Sequence, residues 1–137
     1  VKGSDLRGVN FNGTDLSGTR FIGCDMTDVK FDGANLTGAQ LKGCALKGVT
    51  LAGADLTDSV FIGCDLDGLS FAGMHLQGTE FKASSIRNAI FKDAVLDEVS
   101  FYHTDAKKAN FDGATMDKIT FALLQSMRAK LDNVNIK

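Results

Sequence analysis

An apolar side chain stands at every fifth position from Leu6 through Phe121, in one unbroken register. Neither the helical period of about 3.6 residues nor the strand period of about 2 divides five, so this is neither an amphipathic helix nor a row of alternating strands. A fixed internal period signals one structural unit per repeat, with neighbouring units burying a shared core. With the apolar residue labelled i, position i−2 is small or modestly apolar, as in Cys24, Ala34, Ala39, Cys44, Ala54 and Cys64. Positions i−1 and i+1 are mostly polar, and all 15 glycines fall at i+2.

If each unit makes one short extended side and one corner, i−2 and i face inward while i−1 and i+1 face water. Glycine at i+2 fits the third position of a type II turn, where φ is positive. Four such sides close a square coil, and coils stack at roughly 4.8 Å, the strand-pairing distance. Cys24, Cys44 and Cys64 then form one vertical ladder. Phe11, Phe31, Phe71, Phe91 and Phe111 share one face, and Phe21, Phe61, Phe81, Phe101 and Phe121 share the opposite one. Such segregation of ring sizes suits close packing of stacked layers. The 137 residues make about seven coils in a single domain.

Units such as Ala54-Asp55-Leu56-Thr57-Asp58, Ala34-Asn35-Leu36-Thr37-Gly38 and Cys64-Asp65-Leu66-Asp67-Gly68 resemble the A(D/N)LXX unit of the pentapeptide-repeat family. The resemblance covers essentially the whole chain and implies an all-β fold, a right-handed quadrilateral β-solenoid. Val1 already holds a central position and Lys137 falls in mid-repeat, so the sequence reads as a piece of a longer chain.

Two irregularities stand out. From Ala83 onward only Gly113 keeps glycine at i+2, and Glu98, His103 and Lys108 would be strained at positive φ. Negative φ and another turn type are expected there. At residues 122–128 Ser126 takes a central position, which predicts a distorted coil or one short helical turn before the register resumes at Leu131.

Little in the chain points to chemistry. A thiol ladder could bind a soft metal or be redox-active, yet Cys is one of several small residues at i−2 and no histidine shares its side. His75 and His103 lie on different sides, and the aspartates at i−1 belong to the repeat pattern. No nucleophile has a nearby base, and no glycine-rich loop opens a helix. A core of Phe and Leu leaves no evident cavity. No catalytic, cofactor or metal site is expected, and the chain reads as non-enzymatic.

A net charge of −2 without a basic stripe argues against nucleic-acid binding. No apolar run approaches the ~20 residues of a membrane span. Summed by face, the Leu16 face carries Asp15, Asp55, Asp58, Asp97, Glu98 and Asp117 against Lys118 and Lys137. The Phe21 face carries Arg20, Lys42 and Lys82 against Glu80, and places Ile22, Val60, Ile62 and Tyr102 outward. Aligned exposed apolar residues suggest a contact surface, although β-branched side chains also simply favour stacked strands. The leading expectation is a rigid module for protein interaction or targeting, cytoplasmic or part of a secreted bacterial effector. The resemblance offers an alternative, a DNA mimic acting on a type II topoisomerase such as DNA gyrase. An inert spacer is a third reading, and uncovered terminal coils would favour end-to-end self-association.

Overall fold

The computed structural model describes residues 1–137. Every pairing is parallel and joins residues one coil apart, as in Phe21↔Leu41, Leu76↔Leu96 and Asp5↔Asp25. The chain is a β-solenoid of about six turns with one short helix. Strands β1 (Arg20–Ile22), β2 (Gln40–Lys42), β3 (Val60–Ile62), β5 (Glu80–Lys82) and β7 (Ser100–Tyr102) form a five-stranded sheet on the Phe21 face. Strands β4 (His75–Gln77), β6 (Val95–Asp97), β8 (Thr115–Met116) and β9 (Asn135–Ile136) line the Leu16 face. The other two faces are joined by isolated bridges.

The inward assignment of i holds: every central residue from Phe21 through Met116 is buried. Phenylalanines stack up each column, with centroids 4.7 Å apart for Phe71–Phe91 and 4.6 Å for Phe91–Phe111. Between opposite columns the rings meet edge to face, as in Phe71–Phe81 at 87°. Each such pair contributes roughly 0.5–1.5 kcal/mol beyond its area burial.

The corners explain the polar pattern. At most of them the i+3 amide donates to the carbonyl of i, as in Val29→Met26, Ala34→Phe31 and Ala54→Leu51. The i+1 amide is then left free, and an aspartate or asparagine at i−1 accepts it: Asp15 from Ser17, Asn35 from Thr37, Asp55 from Thr57. After Phe21, Leu41, Phe61, Phe81 and Phe101 the corner has no such bond. There i+1 lies in a strand, and i−1 is Arg20, Gln40, Val60, Glu80 or Ser100, never Asp or Asn. On the Leu16 face the corners change from the bonded kind after Leu56 to the open kind after Leu76 and Leu96.

The expected reversal of φ does not occur. Glu98, His103 and Lys108 sit at φ 55°, 47° and 62°, like the glycine corners. The turn varies in its hydrogen bond instead, being open at Glu98 and His103 and closed at Lys108 by Ala109→Ala106. A square coil needs a left-handed residue at each corner to turn the chain, and the coil closes even where the side chain resists it.

The C-terminal irregularity is larger than the sequence implies. Helix α1 spans Lys118–Ser126, nine residues, starting before the expected 122–128. Asp117 caps it by accepting the Thr120 amide. Continuing the repeat would place Ile119 at the small i−2 position and branched Leu123 at the left-handed corner, both unfavourable. Phe121 therefore leaves its central role and is half-buried, while Leu124 enters the core.

One interface between coils is split. The amides of Gly48, Leu51, Gly53, Leu56, Ser70 and His75 make no backbone hydrogen bond across it, although their counterparts one coil below or above do, as in Phe31→Thr50, Gly33→Ala52 and Ile90→Leu69. Pairing thins out through Leu46→Asp65 at 3.3 Å and Asp65→Cys44 at 3.4 Å, and resumes at Asp58→Gln77 at 2.9 Å. The bridges Lys30↔Thr50 and Ser70↔Ile90 lie on either side, with none from Thr50 to Ser70. Here Leu69 and Met74 occupy i−2 positions that Ala89 and Ala94 fill one coil later, and Leu51 interrupts the phenylalanine column. The corner change between Leu56 and Leu76 falls at the same interface.

Lys108 takes a left-handed φ of 62° with no side-chain hydrogen bond or ion pair, so Lys108→Gly is expected to stabilise the fold by up to about 1 kcal/mol. A melting temperature that falls on this substitution would show that the corner carries no such strain.

Candidate functional site

On the Phe21 face five strands register one upon another without a gap. Its i+1 column runs Ile22, Lys42, Ile62, Lys82, Tyr102, and its i−1 column runs Arg20, Gln40, Val60, Glu80, Ser100. The apolar residues therefore alternate with lysines one strand apart rather than forming a bare stripe. This keeps like charges from lying directly opposite and lets lysine stems cover isoleucine. Ile22 and Tyr102 are exposed, at 38% and 62%, while Val60 and Ile62 are half-covered by their neighbours. The Tyr102 ring packs edge-on against His103 with centroids 4.2 Å apart. Glu80 pairs with Lys82, which leaves Arg20 and Lys42 as the unpaired cations of the five strands, with Lys2 one coil below Ile22.

The Leu16 face carries most of its acidic residues in fixed roles, Glu98 excepted. Asp15 and Asp55 accept the amides and hydroxyls around Ser17 and Thr57, and those bonds hold both carboxyls below the usual range. Asp117 is lowered in the same way by the Thr120 amide. Asp58 leans under the Gly78 corner, and Asp97 is bound by both His75 and Lys137. Along the i−1 column the order Asp15, Asn35, Asp55, His75, Val95 loses its acidity above Asp55. The acidity is thus divided between Asp15, Asp55 and Asp58 in the first three coils and Asp97, Glu98 and Asp117 in the later ones.

The cysteine ladder has a structural explanation. Open corners leave the carbonyl of i without its turn partner, and the i−2 side chain one coil on donates to it. Cys44 donates to Phe21 O at 3.3 Å, Cys64 to Leu41 O at 3.2 Å, Ser84 to Phe61 O at 3.2 Å and Thr104 to Phe81 O at 2.9 Å. Thiols and hydroxyls serve one role on one column. All three cysteines are buried, and the Cys64 thiol is pushed up by its Cys44 neighbour and by burial. No group of His, Cys, Asp or Glu is arranged to hold a metal ion.

Contrary to the expectation of no cavity, a groove of about 250 Å³ opens on the Phe11 face. Val49, Thr50, Leu51, Ala52, Ser70, Ala72 and Met74 line it, so it coincides with the split between coils. The signals for it in the sequence were Leu69 and Met74 at small positions, and Leu51 where its column has phenylalanine. No helix is long and apolar enough to cross a membrane.

A family model described as a pentapeptide repeat region matches residues 2–71 and 54–137. No curated protein matches the chain. Among solved structures, a trypsin-treated variant of QnrB1, a plasmid-mediated fluoroquinolone resistance protein, is similar with a TM-score of 0.53 at 15% identity. That likeness covers 99% of this chain and 76% of that one. The pentapeptide repeat protein Rfr23 of the cyanobacterium Cyanothece 51142 gives 0.48 at 17% identity, over 99% of this chain and 90% of that one. HetL, involved in heterocyst differentiation regulation in Nostoc sp. strain PCC 7120, gives 0.48 at 15%, over 100% and 82%.

Two measurements check these roles. Cys64→Ser is expected to keep the fold and Cys64→Ala to cost about 1 kcal/mol, because only the first preserves a donor to Leu41 O. Equal stability of the two variants would remove the hydrogen-bond role. Asp55, lowered when folded, contributes stability above its unfolded pKa that is lost as pH falls below about 4. Asp55→Asn keeps the Thr57 bond, as Asn35 does for Thr37. Its melting temperature is therefore expected to drop less than that of the parent between neutral pH and about pH 3.

Proposed function

Because the chain belongs to the pentapeptide-repeat family, we propose that it is a non-enzymatic interaction module that docks a protein partner on its Phe21 face. The observation that supports this reading is the unbroken five-stranded sheet, which presents Ile22, Val60, Ile62 and Tyr102 on a rigid plane with Arg20, Lys42 and Lys82 among them. Rigidity matters because a preorganised surface loses little conformational entropy on binding. Interface cores favour aromatic residues and arginine over lysine and glutamate, which points to Tyr102 and Arg20 as anchors. Apolar contacts with interspersed cations fit a partner surface that is apolar with acidic groups. Both a cytoplasmic setting and a place within a secreted bacterial effector accommodate such a module.

The competing reading, a DNA mimic acting on a type II topoisomerase, draws on the acidic Leu16 face. A duplex mimic needs negative charge along its whole length, about one per 1.7 Å of helix axis. On this face Asp97 is paired with His75 and Lys137, and the i−1 column loses its acidity beyond Asp55.

The test is a pair of surface variants, each compared with the parent after its folding has been checked. Val60→Glu with Ile62→Glu is expected to leave the melting temperature within a few degrees of the parent and to abolish photo-crosslinking of a partner from a reporter at residue 102. Reversing Asp55, Asp58, Asp97 and Glu98 to Lys tests the alternative in a gyrase supercoiling assay. Retained crosslinking in the first variant, together with topoisomerase inhibition by the parent that the second abolishes, would reverse the order of the two readings.

A further inference from the structure

The split interface lies on the face opposite the Phe21 sheet. Between neighbouring coils elsewhere, each side from Asp5 to Val95 hands its amides and carbonyls to the next coil. At this one interface the amides of Gly48, Leu51, Gly53, Leu56, Ser70 and His75 have no backbone acceptor. The carbonyls that would receive them, on Asp67, Ser70, Ala72, His75, Val49 and Ala54, accept from no backbone amide across the gap. Unpaired backbone groups are costly unless something with matching donors and acceptors meets them. The groove between them, about 250 Å³, is roomy enough for several waters and is lined mainly by apolar atoms of Val49, Leu51, Ala52, Ala72 and Met74.

We infer that this gap in the Phe11 face binds an extended segment of a partner polypeptide, whose backbone pairs with the free edges and whose small side chains enter the groove. Only a polypeptide in extended form supplies N–H and C=O groups alternating at the spacing of a strand edge. The short outward side chains Thr50, Ala52, Ser70 and Ala72 leave the mouth open, whereas long ones stand on the coils beyond. Those flanking positions place Lys30 one coil below Thr50 and Lys92 one coil above Ala72. Asp32, one coil below Ala52, accepts the Ala52 amide. The bound segment therefore carries acidic residues beside its small apolar ones. Leu69 and Met74, long chains at positions otherwise held by small ones, keep the coils apart and so maintain the site.

The probe is a blocked peptide of alternating valine and threonine with an aspartate at each end, compared with the same peptide methylated on its backbone nitrogens. Amide hydrogen exchange is read by NMR on the whole chain. In the free protein the unpaired amides of the Phe11 face, those of Leu51, Gly53 and Ser70, are expected to exchange at least tenfold faster than those of Phe31, Gly33 and Ile90. The unmodified peptide is expected to slow them at least tenfold and the methylated one to leave them unchanged. Leu69→Ala with Met74→Ala is expected to let the coils close, protecting the same amides without peptide and weakening peptide binding at least tenfold. Should that variant fail to fold, the comparison of the two peptides on the parent chain decides. Full protection in the free parent, no slowing at millimolar peptide, equal effects of both peptides, or shifts confined to the Phe21 face would each overturn the inference.

Discussion

The whole molecule hangs on one interaction, the backbone hydrogen bond from each coil to the coil stacked on it. A side of five residues is too short to be a stable strand alone, and a coil cannot bury its apolar residues without a neighbour. Stacking solves both problems together, since the offset that pairs Phe21 with Leu41 also sets ring on ring in the core. The residue preferences at the other repeat positions follow from satisfying what this ladder leaves over. Aspartate or asparagine at i−1 accepts the amide that a closed corner strands, and a thiol or hydroxyl at i−2 serves the carbonyl that an open corner strands.

Corners show how strongly stacking dominates local preference. Left-handed backbone costs an ordinary residue roughly 1 kcal/mol, yet Ala83, Glu98, His103, Lys108 and Arg128 all adopt it. The corner is fixed by the coils on either side, and the local cost is met by the bonds and packing that registration brings. Gly113 follows a second rule. It lies over Asp93, whose carboxylate would meet an added Cβ at 2.2 Å, as Asp28 does under Gly48 and Asp58 under Gly78. Glycine there makes room for a carboxylate as well as for a positive φ.

The period, the inward residues and the four faces were legible because each recurs many times, and repetition averages out single exceptions. The φ of Glu98 was not legible, since single-residue preference points one way and the closure of the coil the other. The helix was half legible: Ser126 at a central position marked the break, but the obstruction begins at Ile119 and Leu123, which look harmless as apolar residues in an apolar array. The alternation of Ile62 with Lys42 and Lys82 was written in the sequence, though its meaning appears only when the strands are laid side by side. The groove escaped because it arises from a mismatch between coils. Leu69 and Met74 are unremarkable within their own repeats and matter only against Val49 and Ala54 beneath them.

That mismatch also makes the interface unequal from one face to the opposite one. At the interface where the Phe11 face loses its bonds, the opposite Phe21 face keeps β3 paired to β5 through Val60↔Glu80, Phe61↔Phe81 and Ile62↔Lys82. Loss of pairing on one side and its retention on the other are one mismatch seen from two faces. Val60 and Ile62 on β3 meet Glu80 and Lys82 on β5 without a break. The proposed contact face therefore keeps its registration at the one level where the stack is otherwise interrupted.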